Sequence, residues 1–330
     1  MSPATAEPGL VSTIVPVHDR PRLLGEAVAS VIAQTYRPIE VLIVDDGSTD
    51  DTPGVADRLA IEHPGVVRAI HVPNGGPGHA REAGRREARG EFLQYLDSDD
   101  LLLPGKFAVQ VAALRADPSA GVVYGWTTYR AGGEGAGSEG TSERPWKRTG
   151  ERIERMFPSF LQSRWWGTST PIYRRTVTDA AGPWSELWNE EDWEYDCRIA
   201  ALGVRLAYVP ELVSIQRDHA GPRLSERVSR DRTKLANRAI AHRRILDHAM
   251  RAGIGRDVPE MRHFARELFL LSRQCGAAGL VAESRELAGL ARRASGGGRR
   301  AADVWVYARL ADVVGWRTLG RIVGALDRLR

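Results

Sequence analysis

The chain is poor in cysteine and has no long apolar run. It contains only two cysteines, Cys197 and Cys275, among 330 residues, too few for a disulfide framework or a cysteine-rich zinc site. We therefore expect two reduced thiols in a cytoplasmic protein. No apolar stretch reaches the ~18 residues of a membrane-spanning helix. Residues 1–9 lack the basic start and apolar segment of a secretory signal.

Acidic residues are scarce in the last third of the chain. Residues 221–330 contain 23 Lys and Arg against 11 Asp and Glu, a balance of +12, whereas residues 1–220 contain 23 against 31, a balance of −8. The chain is also longer than the roughly 250–300 residues at which single hydrophobic cores stop growing. An acidic first part and a basic second part therefore predict two regions with different partners.

Short β-rich runs alternate with helical patterns in the first hundred residues. The runs lie at 11–17, 39–44, 66–72 and 91–96. Helical patterns begin at Pro21 and after the turn that follows Val44, and a third fills the segment before Gly90. We interpret "PNGGPGHAR" (73–81) as a loop. Strands and helices that alternate at this spacing predict a parallel sheet with right-handed crossovers.

Two acidic clusters follow predicted strands directly. Asp45-Asp46 ends one strand, and Asp97-Ser98-Asp99-Asp100 ends another. In open α/β sheets the carboxyl ends of parallel strands line the ligand crevice. Two carboxylates with one spacer can bind Mg²⁺ or Mn²⁺ through hard oxygen ligands. The alternative for the D-x-D is a helix cap in a surface turn.

Asp45 and Arg81 suggest a nucleotide ligand. A carboxylate at a strand end can accept the imide N–H of uracil or a ribose hydroxyl, and a guanidinium can bind phosphate. The alternatives are an Asx-turn that caps the next helix and an ordinary glycine-rich loop. Each of these motifs is weak when it is taken alone.

Taken together, the motifs resemble the family 2 glycosyltransferases with the A-type fold. The matching stretches are "STIVPVHDRPRLLGEAVASVIAQTYRPIEVLIVDDGSTDDT", "NGGPGHAREAGRREARGEFLQYLDSDD" and "NEEDWEYDCRIAALG". The resemblance implies an α/β fold with a mostly parallel, Rossmann-like sheet. It also implies an inverting hexosyl transfer from a nucleotide-diphosphate sugar, UDP-sugar favoured, with Mn²⁺ or Mg²⁺. The acceptor would be a carbohydrate, a lipid-linked sugar or another hydroxyl, in polysaccharide or glycoconjugate synthesis.

The resemblance also implies domains and residue roles. It divides the chain into a disordered N-terminus (1–9), a catalytic domain (10–220) and a helical, basic region (221–330). The donor-binding residues would be Pro16, Val17, His18, Asp19, Asp45, Asp46, Gly78, Arg81, Asp97, Ser98, Arg217 and Arg223. The metal ligands would be Asp99, Asp97 and His219, and the catalytic base would be Asp192 with Glu191 beside it. The chain departs from the family pattern at Glu82, where many relatives have Asn, and at His18-Asp19 in place of Tyr-Asn.

The residues around the predicted base have structural alternatives. A run of acids is usually a solvated helix start, and we assign Glu190 and Glu194 to that role. Trp188 and Trp193 suit either sugar stacking or ordinary burial. His219, placed with Arg217 and Arg223 in a strap over the diphosphate, is equally compatible with a plain surface or core histidine.

Other functions fit the motifs less well. A nucleotidyltransferase would carry a Gly-rich, basic loop after its first strand, where this chain has "VHDRPRLL". A phosphatase of the haloacid-dehalogenase type would place D-x-D after its first strand. A non-catalytic nucleotide-sugar-binding protein would not need the acids at 191–192.

Two further segments have their own predictions. Residues 131–150, rich in Gly, Ser and Glu, are expected to be a mobile insertion. Residues 304–330 carry apolar residues at helical spacing with interspersed arginines. One interpretation is a helix that packs on its own helical region. The other is a basic amphipathic helix on an anionic membrane surface, at the inner face of the membrane. Nucleic-acid binding lacks a recognition motif.

Overall fold

The computed structural model describes residues 6–130, 144–218 and 231–326, which form two compact units. Unit 1 contains Met1–Arg155, Trp165–Glu186 and Val204–Gly221. Unit 2 contains Met156–Arg164, Leu187–Gly203 and Pro222–Arg330. Segments 156–164 and 187–203, which the sequence analysis placed in the catalytic domain, therefore belong to the same unit as the C-terminal helices.

Unit 1 is built on a mixed eight-stranded sheet with the spatial order β3-β2-β1-β4-β7-β6-β8-β5. The strands are β1 (Glu7–Val17), β2 (Ile39–Asp46), β3 (Val67–Val72), β4 (Gly90–Tyr95), β5 (Leu101–Leu102), β6 (Ala120–Arg130), β7 (Ile172–Arg174) and β8 (Arg205–Arg217). The pairs β1–β2, β2–β3, β1–β4 and β6–β8 are parallel, whereas β7 and β5 pair antiparallel with their neighbours. The predicted α/β class with a mostly parallel sheet is confirmed.

Five helices accompany these strands. They are α1 (Pro21–Ile32), α2 (Thr52–Glu62), α3 (Pro77–Glu87), α4 (Lys106–Ala116) and α5 (Arg175–Ala181). In α1 the buried residues Leu24, Ala27, Val28 and Val31 recur at helical spacing. They join a core with fully buried residues of β1 and β2, which are apolar because both faces of a central parallel strand are covered.

Three local predictions need correction. Residues 7–9, expected to be disordered, belong to β1, where the Glu7 N–H donates to the Arg89 carbonyl at 2.8 Å. The segment 77–81, expected to be loop, is the first part of α3, because Pro77 is favourable in the first turn of a helix. In the predicted insertion, residues 131–143 lie outside the described residues. Trp146, in the described part of the predicted insertion, stacks on Tyr129 with 6.3 Å between the two ring centroids.

Unit 2 is helical, as predicted for the described residues beyond 231. Its helices are α6 (Glu191–Ala200), α7 (Arg232–Arg251), α8 (Pro259–Ala277), α9 (Val281–Ala294), α10 (Gly298–Val314) and α11 (Trp316–Leu326), with a short 3₁₀ helix at Ser159–Leu161. The Asp231 carboxylate caps α7 by accepting from the Thr233 and Lys234 N–H groups. Within the described residues, no helix is long and apolar enough to cross a bilayer.

Helices α10 and α11 pack on the rest of unit 2 through one side. Val304, Tyr307 and Ala311 of α10 are buried, as is Trp316 at the start of α11. Tyr307 meets Phe269 of α8 edge to face at 5.3 Å. The first interpretation of the tail, that it packs within its own helical region, is therefore correct for this side of α10.

Glu194 is buried and Glu190 is only partly exposed, at 22%, whereas both were expected to be solvated. Glu194 is 2% exposed and accepts from His248 at 2.8 Å and from Arg198 at 2.6 Å. Because Arg251 donates to Nδ1 of His248, the Nε2 atom carries the proton given to Glu194. Glu190 pairs with Arg238 at 2.7 Å. Arg238 and His248 come from α7, and Arg198 lies one turn further along α6; these partners compensate the charge of both carboxylates.

The contacts of Glu194 predict that the folded protein loses stability in acid. Burial alone would raise the pKa of Glu194, but hydrogen bonds from His248 and Arg198 outweigh it and lower the pKa from 4.5 to about 2. A carboxyl with a depressed folded pKa stabilises the protein above the unfolded value and loses that contribution as pH falls through the folded one. Glu194 should thus contribute on the order of 2–3 kcal/mol near neutrality, and this should vanish between about pH 4.5 and 2.

Chemical denaturation across this pH range tests the assignment. Glu194→Gln should be less stable than wild type at neutral pH and should show a shallower loss of stability on acidification. The matched control is Glu286→Gln, at an exposed surface pair with Arg243, which should retain the wild-type slope. Identical slopes in all three proteins would contradict the role given to Glu194.

Candidate active site

The carboxyl ends of three neighbouring strands bring the two acidic clusters to one edge of the sheet. The parallel register of β1 and β2 sets Val17 opposite Asp45, and that of β2 and β3 sets Asp45 opposite His71. β4 pairs with the other side of β1 and ends at Tyr95, two residues before Asp97. The predicted convergence of both clusters on this edge is therefore what the strand register produces.

Three carboxylates are crowded after β4. One oxygen atom from each of Asp97, Asp99 and Asp100 lies within 4.8 Å of the other two. Arg81 of α3 pairs with Asp97 at 2.7 Å, and Arg20, just before α1, pairs with Asp99 at 2.6 Å. Charge-assisted bonds of this kind offset the mutual repulsion of the acids. Guanidinium groups thus supply compensating positive charge at this site.

Asp100 is the buried member of the cluster. Its carboxyl accepts from the Ser169 hydroxyl at 2.8 Å and from the Arg217 N–H at 3.3 Å. Complete burial, followed by the negative charges of Asp99 and Asp97, raises the pKa of Asp100 well above its usual range. The carboxyl therefore connects the cluster to β8 and to the segment before β7.

The cluster fits a hard divalent cation. Asp97 and Asp99 keep 28% and 15% of their side-chain surface exposed, so their oxygens are accessible from solvent. The donor set is all oxygen, which suits Mg²⁺ or Mn²⁺. A cation between them would also relieve the repulsion that acts on Asp100.

Asp45 lies at the end of β2 between a turn and a histidine. Its carboxylate accepts from the Ser48 N–H at 3.1 Å, the Asx-type contact considered as an alternative, and its other oxygen lies 3.1 Å from Nδ1 of His71. His71 also contacts Asp57 at 3.0 Å. Hydrogen bonds to Asp57 and Asp45 raise the pKa of His71. The histidine orients the Asp45 carboxylate from β3.

Asp46 positions the glycine-rich segment. Its two carboxylate oxygens accept from the Gly75 N–H at 2.9 Å and the Gly76 N–H at 2.8 Å. Both oxygens therefore hold the backbone just before α3 in place. This structural role comes in addition to the donor contact that the family resemblance implies for Asp46.

The other predicted donor residues are placed unevenly around this edge. Pro16 and Val17 are buried at the end of β1, and Gly78 and Ser98 are buried as well. Asp19 is exposed and accepts from the Thr49 N–H at 2.7 Å, and Nδ1 of exposed His18 lies 3.0 Å from the Asp46 carbonyl. The Arg217 guanidinium binds the Asp99 carbonyl and Glu26. His219 and Arg223 lie outside the described residues.

The predicted base lies in unit 2, at the start of α6. Asp192 pairs with Arg164 at 2.5 Å, and the same guanidinium donates to Asp196, fully buried, at 2.6 Å. Asp192 keeps 30% of its side chain exposed, whereas Glu191 is buried. Of this pair, Asp192 is therefore the one with an accessible carboxylate.

The two tryptophans near this helix differ. Trp193 donates its indole N–H to the Phe160 carbonyl at 2.8 Å and meets His242 edge to face at 5.4 Å. It is part of the packing of unit 2, which was one of its two interpretations. Trp188 remains 42% exposed, so its surface is available for stacking.

Several important side chains were missed by the sequence analysis. Arg20, His71 and Arg164 each pair with a predicted site acid, yet nothing in their local sequence distinguishes them from surface residues. Glu82, noted as a departure from the family pattern, is buried and accepts from Arg85 at 2.8 Å and Arg86 at 2.9 Å. The neighbouring arginines at i+3 and i+4 could have signalled that this acid is internally compensated.

The sequence matches a family model and several known proteins. Residues 12–176 match the family model described as glycosyl transferase family 2. An uncharacterized glycosyltransferase of Rickettsia conorii is 37% identical over 117 residues, 35% of this chain and 19% of that protein. The glycosyltransferase GlyG of Streptococcus pneumoniae is 37% identical over 94 residues, 28% of this chain and 31% of its own length. The chain thus spans less than a third of each of these relatives.

Solved structures share the fold over most of the chain. S. aureus TarS 1–349 in complex with UDP superposes with a TM-score of 0.65 at 19% identity, covering 94% of this chain and 90% of that one. The mannosyltransferase PcManGT of Pyrobaculum calidifontis, in complex with GDP-Man and Mn²⁺, superposes with a TM-score of 0.52 at 21% identity. The match covers 97% of this chain and 86% of that one. At these identities the likeness shows the fold alone.

The turn after Asp46 favours glycine at position 47, because any other residue would be strained there. Gly47 adopts φ +68°, and a Cβ there would lie 2.7 Å from the Asn74 backbone nitrogen. Gly47→Ala should therefore lower the free energy of unfolding by about 1–3 kcal/mol. Gly54→Ala, in α2 with no atom within 4 Å of the added Cβ, should be neutral or up to ~1 kcal/mol more stable. Denaturant titration of both variants checks this, and equal stabilities would contradict the strain at Gly47.

Proposed function

The chain belongs to glycosyltransferase family 2, and from that premise we propose an inverting, metal-dependent hexosyl transfer from a nucleotide-diphosphate sugar, with a UDP-sugar favoured, to an acceptor hydroxyl. The product would belong to a polysaccharide, glycolipid or other glycoconjugate. The observation that carries the proposal is the cluster of Asp97, Asp99 and Asp100 with its two arginines, on the same sheet edge as Asp45.

The nucleotide is assigned to the β1–β2 side of this edge. Asp45, oriented by His71 and the Ser48 N–H, offers a carboxylate to the imide N–H of uracil or to a ribose hydroxyl. Pro16 and Val17 end the adjacent strand and would form the floor beneath the base. The chain just before α3, held by Asp46, would approach the ribose and phosphates closely.

The diphosphate is assigned to the acidic cluster and its arginines. Asp99 and Asp97 would hold Mg²⁺ or Mn²⁺, which would neutralise the charge that develops on the departing nucleotide. Arg81 and Arg20 contact these two carboxylates directly and are placed to shift toward phosphate oxygens when a cation takes over their partners. Arg217, which holds the Asp99 carbonyl, would keep the segment in position.

Asp192 is assigned as the general base. It would take the proton of the acceptor hydroxyl as that oxygen bonds to the anomeric carbon, while the bond from this carbon to the diphosphate breaks and the nucleotide leaves. Arg164 would act as a positioning residue, because it fixes the Asp192 carboxylate through a bond at 2.5 Å while it is anchored to buried Asp196.

The donor preference is supported by structural neighbours. TarS has been crystallised with UDP and with UDP-GlcNAc, and PcManGT with GDP-Man and Mn²⁺. A thermal-shift panel of UDP-, GDP- and dTDP-sugars, each with and without Mn²⁺, tests the donor class directly. A shift that requires both a UDP-sugar and the metal is the expected result, and stabilisation by no nucleotide sugar would overturn the proposal.

Asp99→Asn should remove metal-dependent nucleotide binding and leave the fold intact. Loss of an anionic ligand weakens a hard-cation site, and substitutions around metal sites cost 10- to 100-fold in affinity even in the outer shell. Calorimetric titration with UDP in Mn²⁺ should therefore show affinity at least ~10-fold weaker. Asp179→Asn, at an exposed pair with Arg85, is the matched control and should bind as wild type. Unchanged Mn²⁺-dependent binding by Asp99→Asn would refute the metal assignment.

Asp192→Asn should abolish transfer but retain donor affinity. A base acts in the chemical step, so its removal should lower kcat by ~10²–10⁴-fold, with little change in the KM for the donor. Glu186→Gln, at an exposed acid outside α6, should keep wild-type kcat. Steady-state kinetics of both variants distinguish the cases, and a kcat within a few-fold of wild type would remove Asp192 from this role. A protein that binds donor in the panel but has no transfer even as wild type would be a nucleotide-sugar-binding protein.

A further inference from the structure

Helix α10 is apolar on two sides, and only one of them is packed. Val304, Tyr307 and Ala311 face the interior of unit 2 and are buried. On the other side the exposed apolar residues are Trp305 (47% exposed), Val306 (47%), Leu310 (50%), Val313 (83%) and Val314 (48%). Relative to Trp305, the other four lie one, five, eight and nine residues further along, so Val306, Leu310, Val313 and Val314 share one side of the helix and Trp305 lies at its margin. We call these five residues the outer face of α10.

Packing within unit 2 does not account for the outer face. An isolated exposed valine or leucine is ordinary on a protein surface. Five within two and a half turns, including a tryptophan, form the kind of contiguous patch that marks an interaction surface. A helix that only completed a core would carry polar residues on this side.

Basic groups lie on α10 itself and on the helix that follows it. The Arg309 guanidinium lies over the Trp305 ring at 5.5 Å from its centroid, so the charge and the aromatic ring are presented together. In α11, Arg317 and Arg321 lie one turn apart and, with Thr318 and Ile322, line an open depression of about 310 Å³. Ile322 is itself 51% exposed. Paired guanidiniums beside a hydroxyl and an apolar side chain suit a phosphate that is attached to an apolar group.

We propose that α10 and α11 form a docking surface for an anionic phospholipid bilayer. The outer face of α10 would enter the boundary between headgroups and acyl chains, with Trp305 at the interface, where tryptophan is favoured. Arg309, Arg317 and Arg321 would bind lipid phosphates. The C-terminal region as a whole, with its balance of +12 over residues 221–330, would be drawn to a negative surface.

Charge favours a membrane over a second copy of the chain. An isologous dimer through the outer face would bring the same basic surface of both protomers together, and like charges at an interface are unfavourable. An anionic bilayer instead offers negative charge and an apolar layer in one partner. This docking does not depend on the proposed transfer reaction, so it can be tested without an activity assay.

Vesicle sedimentation of the full chain is the direct test. The probes are vesicles of phosphatidylcholine alone and vesicles that also contain phosphatidylglycerol. The intact protein should sediment with the second kind at low salt and should be released as salt screens the arginines. Equal binding to both kinds of vesicle, or to neither, would overturn the proposal.

Two substitution pairs separate the apolar and the basic contributions. Val313→Glu, on the outer face, should abolish sedimentation, whereas Ile61→Glu, at the equally exposed Ile61 of α2 (79%), should leave it unchanged. The double variant Arg317→Gln/Arg321→Gln should weaken partitioning by roughly 10- to 30-fold, since each basic residue near the surface contributes about a fivefold factor. Arg262→Gln/Arg266→Gln, an exposed pair of the same spacing on α8, removes the same charge elsewhere in unit 2.

The controls make each outcome decisive. Melting curves check that the variants are folded. We expect them to fold because every substituted residue is exposed. If both arginine pairs weaken binding equally, the effect is diffuse charge and the assigned surface is wrong. If sedimentation velocity shows the wild type as a dimer that Val313→Glu converts to a monomer, the outer face is an interface between copies and the membrane proposal is overturned.

Discussion

The crowding of three carboxylates after β4 is the constraint around which the candidate site is organised. Asp97, Asp99 and Asp100 approach within 4.8 Å of one another at the end of a buried strand. Left uncompensated, such a group would be strongly unfavourable, because charges that leave water need partners. Arg20 and Arg81 each compensate one accessible acid, and burial raises the pKa of the third, Asp100.

These partners tie separate parts of unit 1 to the acidic cluster. Arg20 comes from the segment after β1, Arg81 from α3, Ser169 from the segment before β7 and Arg217 from β8. A change in the charge of the cluster, such as cation binding, would therefore affect the hydrogen bonds to all four of these segments.

In unit 2, basic partners likewise compensate acids, here those of α6. Arg164 bridges Asp192 and Asp196, and His248 and Arg198 hold Glu194. Three acids of α6 are thus fixed by basic partners. Since breaking one partner of a buried pair leaves an uncompensated charge, these contacts hold α6 in one orientation. Asp192 keeps partial exposure within that rigid frame, as a group that acts on an incoming hydroxyl would require.

The α/β class, the parallel β1–β4 core and the position of the acids at the strand ends could all be predicted from the sequence. Those features depend on local periodicity and on the rule that the carboxyl ends of parallel strands share an edge. The basic groups that pair with those acids could not be predicted, because the pairing depends on how distant segments pack. Arg20 lies 79 residues from Asp99, and His248 lies 54 from Glu194, so no local pattern links them. Glu190 and Glu194 were expected to be solvated because solvated and ion-paired acids look alike in a sequence. Burial and partner are set by packing between distant segments, and so is the difference between the packed side and the exposed outer face of α10.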